Sequence, residues 1–144
     1  MYHEKRELFR IPIEEPVEVA LLSLPDGHKP PRITLAARTS DVSEDGMRIT
    51  LVDHEAVRDV ERLGLTRHSV HVVPPGAKVR VRIKPAGYWR HMTHVGTVRW
   101  VQEEPDSPVF VFGVELTDTP KPIMRRWFAY LQRARSGQGA RGSR

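Results

Sequence analysis

The sequence predicts a mainly β protein, an antiparallel barrel or sandwich of short strands with a helix near its C-terminal end. Three observations carry this. Apolar and polar residues alternate with period two through successive short segments, the mark of strands with one buried and one wet face. Those segments are separated by turn residues rather than long helices, which disfavours a parallel α/β sheet. The last regular stretch changes to a helical period.

The elements follow in order. Val17 to Leu21 alternates and reads as the first strand, and a second is expected over Ile33 to Thr39. Met47 to Leu51 alternates as well. The clearest strand is Ala77 to Lys84, in which every second side chain is basic (Lys78, Arg80, Arg82, Lys84). Val95 to Gln102 and Val109 to Leu116 follow, joined by a segment whose prolines, acids and serine mark a turn. Between the third and fourth strands, Asp53 to Leu65 carries Val57, Val60, Leu63 and Leu65 among charges, and reads as a short amphipathic helix within an insert at about 53–75. A second helix starts near Asp118-Thr119-Pro120, with a cap-type residue before proline at the first helical position. Ile123, Trp127, Tyr130, Leu131 and Ala134 then share one face, which is expected to pack on the sheet and close its open end.

Composition bounds what such a chain does. At 144 residues it suits one domain, expected over 1–134, with a mobile N-terminal arm at 1–13. Residues 135–144 are basic and rich in Gly and Ser, and read as a disordered tail. There is no cysteine, so disulfides and thiolate metal sites are excluded. No apolar run is long enough to span a bilayer, and Met1 to Arg6 lacks the apolar core of a signal peptide; a cytoplasmic location without membrane insertion is expected. Lys plus Arg is 23 against 18 Asp plus Glu, a formal net charge of +5. This favours an anionic partner without identifying one.

Two short patterns carry chemistry. Asp41-Val42-Ser43-Glu44-Asp45-Gly46 falls between two strands. Asp41 offers a carboxylate acceptor and Ser43 a hydroxyl that donates and accepts. Gly46 permits a positive φ and close backbone approach. The same residues also suit a plain connecting turn. Arg6 and Arg10, four apart, precede the first strand, and Lys5 stands just before them. Arg-x-x-x-Arg is weak alone, since Arg58 and Arg62 repeat it inside the expected inserted helix, where they read as one solvated face.

The combination is more specific. An Arg-x-x-x-Arg ahead of the first strand and an Asp-x-Ser-x-x-Gly at a strand turn resemble the PilZ domain family. Gly96 to Trp100 and Phe112 to Leu116 look like its last two barrel strands, and the likeness covers roughly residues 4 to 132. The long insert is its main departure. The resemblance implies a small antiparallel β-barrel with a C-terminal helix that binds cyclic di-GMP on its outside. Carried over, the ligand contacts are Arg6, Arg10, Asp41 and Ser43, with Gly46 shaping the loop. Lys5 stands in place for a phosphate contact, and Trp100 is weighed both as a strand packing residue and as a ligand contact. A guanidinium fork matches guanine O6 and N7 or two phosphate oxygens, and a carboxylate matches the guanine N1–H and N2–H₂ edge. The implied role is a receptor that signals to an unidentified downstream protein by reordering its N-terminal arm, in bacterial motility or biofilm regulation.

Other constellations are weaker. His68, His71, His91 and His94 would need to converge to bind zinc, yet residues three apart in a strand face opposite sides; they read as surface and loop histidines. No phosphate-binding Gly-rich loop, activated serine or paired carboxylates stand out, so an enzyme is not expected, and neither is a cofactor. Two rival functions remain: a PilZ-like interaction module acting without ligand in pilus or flagellar machinery, and a small basic nucleic-acid-binding barrel suggested by the alternating basic strand. The second lacks interleaved aromatics for base stacking.

Overall fold

Among the described residues six strands form where the alternation places them: β1 (Pro16–Ser23), β2 (Thr34–Val42), β3 (Gly46–Leu51), β4 (Lys78–Ile83), β5 (Met92–Glu103) and β6 (Phe110–Glu115). One helix, α1 (Lys121–Gly142), follows. This is a computed structural model, and it describes residues 10–30, 32, 34–51, 73–88, 90–103 and 110–142. The inserted helix expected from Asp53 to Leu65 lies outside these residues, as do Lys5, Arg6, Arg58, Arg62, His68, His71 and Trp89.

All neighbouring strands pair antiparallel, and the sheet closes on itself in the order β1-β2-β3-β6-β5-β4. Closure decides between the barrel and the sandwich. Each strand contributes its alternate apolar side chains to one interior: Val17, Val19 and Leu21 from β1, Met47, Ile49 and Leu51 from β3, Val79, Val81 and Ile83 from β4. The basic side chains of β4 point outward. Burying each large aliphatic side chain contributes about 1.5–3 kcal/mol.

Three register shifts interrupt the ladders, one of them between Leu21 and Ser23 where β1 pairs with β4, and the other two matter later. The β2–β3 register shifts between Thr39 and Asp41. Thr39 continues the odd-numbered interior row of Leu35 and Ala37, and beyond the shift Val42, rather than Asp41, is the next buried residue. The β5–β6 register shifts between Val98 and Trp100. Up to that point the even-numbered residues Met92, His94 and Val98 are interior. The extra residue, Arg99, turns Trp100 to the outside, opposite Gly113.

The helix packs as its sequence face requires. Trp127, Tyr130 and Leu131 are buried, flanked by Ile123 and Ala134. Two details differ from the sequence reading. Thr119 does not cap α1. Its hydroxyl accepts from the Val95 amide (3.0 Å) and donates to the Val95 carbonyl (3.2 Å), while the first helical amides, of Ile123 and Met124, bond to the Pro120 carbonyl. Helical backbone also continues to Gly142, across the stretch whose composition suggests a disordered tail. Arg, Gln and Ala are good helix formers, and here local propensity outweighs overall polarity.

The segment before β1 is likewise tied down. Ile11 is buried and exchanges two backbone hydrogen bonds with Val42 (2.8 and 2.9 Å). Next to it, the Thr39 hydroxyl donates to the Ile13 carbonyl (2.6 Å) and accepts from the Glu15 amide (2.9 Å). The part of the expected mobile arm from Ile11 to Ile13 is thus held along β2. Ile11 and Ile13 are apolar enough to join the core, and the arm's charge pattern hides this.

His94 corrects the surface reading of the histidines. It is fully buried on β5, edge-on to Trp127 with ring centroids 4.6 Å apart, and its Nε2 has no hydrogen-bond partner among the described residues. Its position in the even-numbered interior row explains the placement. Burial pushes its pKa down from 6.5 to about 4. The unfolded chain therefore takes up a proton below pH 6.5 that the folded chain refuses. Stability should be full above that pH and fall by about 3 kcal/mol as pH drops toward 4. Urea unfolding between about pH 7 and pH 5, a range that brackets the ordinary histidine pKa, checks this, and His94→Leu should flatten the slope.

Candidate functional site

The β2–β3 turn is held by a dense set of hydrogen bonds. The Ser43 amide donates to the Gly46 carbonyl (2.9 Å), closing the turn. The Ser43 hydroxyl donates to Asp45 Oδ1 (2.9 Å) and lies 3.3 Å from the Gly46 carbonyl oxygen. The Ser43 carbonyl accepts a buried hydrogen bond from Trp127 Nε1 (2.9 Å), so the helix grips the turn from below. The Leu116 amide donates to the Asp45 carbonyl (2.8 Å), which ties the turn to the end of β6.

Gly46 is needed for only one of the two expected reasons, close backbone approach. Its φ is not positive; among the described glycines only Gly27, Gly76 and Gly87 have that conformation. Instead a Cβ at Gly46 would lie 2.8 Å from the Val114 carbonyl oxygen. The strand pairing leaves no space for a side chain, and this, not backbone strain, excludes larger residues.

Outside the barrel a row of residues crosses four strands. Asp41 pairs with Arg48 across β2 and β3, Arg48 with Gly113 across β3 and β6, and Gly113 with Trp100 across β6 and β5. The β2–β3 and β5–β6 register shifts are both required to bring Asp41 and Trp100 into this outward row. Arg48 lies 3.9 Å from the Asp41 carboxylate and 5.7 Å from the centre of the Trp100 ring. The Trp100 indole lies across Gly113, where any Cβ would overlap it. Arg99, the extra residue of the β5 shift, forms a two-point ion pair with Glu115 (3.1 and 3.2 Å).

These side chains line a cleft of about 60 Å³, to which Arg10 and Ser43 also contribute. Its smallness means that a nucleotide-sized ligand would lie across it rather than inside it. Of the residues singled out in the sequence, Arg10, Asp41, Ser43, Gly46 and Trp100 come together here. Arg10 arrives because the Ile11–Val42 bridge fixes the residue before it beside Asp41. Arg6 and Lys5 lie outside the described residues. The cleft adds Arg48, Arg99 and Asp45, which the sequence reading passes over. Arg48 had a findable signal: it stands two residues after Gly46, on the outward face of an alternating strand. Arg99 had none, because the register shift that exposes it is a pairing event. Among the described residues no group of three or more metal-ligating side chains converges.

The fold and the cleft together define a small closed antiparallel β-barrel with an exterior cleft of mixed arginines, carboxylates and one indole. The family model of the PilZ domain matches residues 4–133, and the chain belongs to this family. The PilZ domain of YcgR from Escherichia coli, solved with c-di-GMP, superposes with a TM-score of 0.60 at 12% identity, over 94% of this chain and 95% of that one. The Bacillus subtilis inhibitor of motility, MotI/DgrA, gives a TM-score of 0.56 at 16% identity over 90% of this chain; the chain spans about half (49%) of MotI. At these identities the two structures share the fold with this chain. A search of curated proteins finds no match.

Gly113→Ala tests the row. A methyl group under the indole must lift Trp100 off β6, so we expect a loss of about 1–3 kcal/mol in unfolding free energy. A change in tryptophan emission in the folded state should accompany it.

Proposed function

We propose that the protein is a cyclic di-GMP receptor whose site is the exterior cleft at the β2–β3 turn. The observation that carries this reading is the meeting of Arg10, Asp41 and Ser43 around one cleft, brought together from separate parts of the chain by the Ile11–Val42 bridge. Membership of the PilZ family supports it, and so does the c-di-GMP bound in the YcgR structure of the same fold.

Each residue then has a role that its chemistry suits. Arg10 and Arg6 present guanidinium forks to guanine O6 and N7 or to phosphate oxygens. Asp41 accepts from the guanine N1–H and N2–H₂ edge. The Ser43 hydroxyl already donates to Asp45 and keeps acceptor capacity for one further donor. Gly46 allows the turn to sit tight against β6. Trp100 and the Arg48 plane beside it offer flat surfaces on which a base can stack. Lys5 adds a phosphate contact. The protein works as a binding module rather than an enzyme, and passes the signal to another protein by ordering the arm ahead of Ile11. The hinge lies at Ile11, because from there on the chain is already held on β2.

Calorimetric titration tests the reading. Cyclic di-GMP should bind at about micromolar affinity or tighter, with GMP and GTP far weaker. Arg6→Ala, Arg10→Ala and Asp41→Ala should each weaken binding by roughly ten- to a hundred-fold with little change in thermal stability. Arg58→Ala, in the second arginine pair, should leave it unchanged. Absence of heat at high micromolar ligand would overturn the proposal in favour of a ligand-independent interaction module. Hydrogen exchange adds the mechanism: amides ahead of Ile11 should gain protection with ligand, while Ile11 and Val42 should be protected in both states.

A further inference from the structure

On the wall of the barrel away from the turn, β4 shows an imbalance of charge. Its outward cations alternate with the interior valines, and two of them are neutralised: Lys78 by Asp118 (2.7 Å) and Arg82 by Glu18 (3.7 Å). Arg80 stands between them. Its neighbours across the strands are Ala20 on β1 and Val95 on β5, and it has no ion pair among the described residues. The β1–β2 loop folds toward the same place and brings two more cations, Lys29 and Arg32. The acid of that loop, Asp26, is turned to His28, accepting from its amide and pairing with its ring at 2.9 Å each.

The three cations surround a concave groove of about 480 Å³. Apart from Thr34, its remaining lining is apolar. Leu22, 41% exposed, is one of two exposed large apolar side chains among the described residues, and Pro30 lies beside it. Ala20 and Thr34 are small enough to leave the groove open.

We infer that this groove is a docking site for an acidic segment of a partner protein, with an apolar side chain set on Leu22 and Pro30 and flanking Asp or Glu side chains on Lys29, Arg32 and Arg80. Charge complementarity selects an anionic occupant. The apolar floor asks for a large hydrophobic side chain between the acids. A nucleic acid fits less well, since the groove carries no aromatic side chain for base stacking. A lipid surface fits less well too, since it is engaged by apolar groups that protrude, whereas Leu22 lines a depression. The groove involves β1, β2 and β4, and the cleft at the turn involves β3, β5 and β6 with the end of β2, so the barrel separates the two. Both can be occupied at once, and the docking site does not depend on the identity of the ligand in the cleft.

The full chain is titrated into a short fluorescein-labelled peptide of alternating Glu and Asp with two central leucines, read by anisotropy. We expect saturable binding. The double variant Arg32→Glu, Arg80→Glu should weaken it by at least roughly tenfold. Leu22→Ser should weaken it as well, and both variants should keep their cyclic di-GMP affinity. All these side chains are exposed, and thermal unfolding confirms that the variants fold. Three results would overturn the inference: no binding of the peptide, equal binding of a peptide with serines in place of the leucines, or tighter binding of oligothymidine or phosphatidylserine vesicles with the same dependence on Arg32 and Arg80. Loss of the peptide with cyclic di-GMP binding intact would sink the docking site alone; the reverse would sink the ligand reading alone.

Discussion

The hydrogen bond from Trp127 Nε1 to the Ser43 carbonyl holds three parts of the molecule in one arrangement. It is fully buried, joins the C-terminal helix to the β2–β3 turn, and spans 84 positions of sequence. Breaking it would strand a buried carbonyl, at a cost of about 1–3 kcal/mol. The indole also stacks on Tyr130 (5.3 Å between centroids) and meets His94 edge-on. The turn is thereby fixed from inside the barrel while its outer surface stays free for chemistry. The bridge from Ile11 to Val42 reaches the same turn from the other side, so helix, turn and N-terminal segment share one anchor.

The exterior cleft depends on departures from regular pairing rather than on regular strands. A sheet with unbroken alternation would keep Asp41 in step with buried Thr39 and point Trp100 inward with Val98. One extra residue in β2 and one in β5 turn both outward, into register with Arg48 and Gly113. Gly113 then has to be glycine because the displaced indole lies where its side chain would be. The local cost of the two interrupted ladders yields a flat row of carboxylate, guanidinium and indole, three groups able to meet a planar heterocycle at its edge and on its face.

Most of the fold could be read from alternation, because a barrel wall is wet on one side and dry on the other, and β4 shows this in its own letters. The site was legible as far as short-range chemistry reaches: Asp41, Ser43 and Gly46 stand within one turn, and Arg10 is just ahead of the first strand. What stayed hidden is long-range. Arg99 and Trp100 depend on a register shift that only the partner strand reveals. Gly46 is required by the carbonyl of Val114, a residue far away in sequence, so that of its two expected reasons close backbone approach holds and positive φ does not. His94 looked like a surface residue because histidine is usually wet, yet its even-numbered place in β5 put it under Trp127. Helix capping failed at Thr119 for a related reason: a hydroxyl competes for several nearby partners, and the end of β5 won.

The anchoring of Ile11 constrains how any signal leaves the cleft. Had the chain been loose up to β1, ligand binding would have to order a long segment, and the entropy of that ordering, about 1–2 kcal/mol per residue for the backbone alone, would consume most of the contact energy. Hydrogen bonds at Ile11, Ile13 and Glu15 have already met that cost in folding. Glu15 also accepts from the Ala86 amide (2.6 Å), which extends the fixed frame to the β4–β5 connection. On the proposed reading, a ligand held by Arg10 and Asp41 would work against a rigid base. The surface that such a ligand could change would lie beside the turn rather than across the barrel. A partner reading the ligand state would then have to touch that side, whereas one seated on the proposed groove at Arg80 would be held whether or not the cleft is filled.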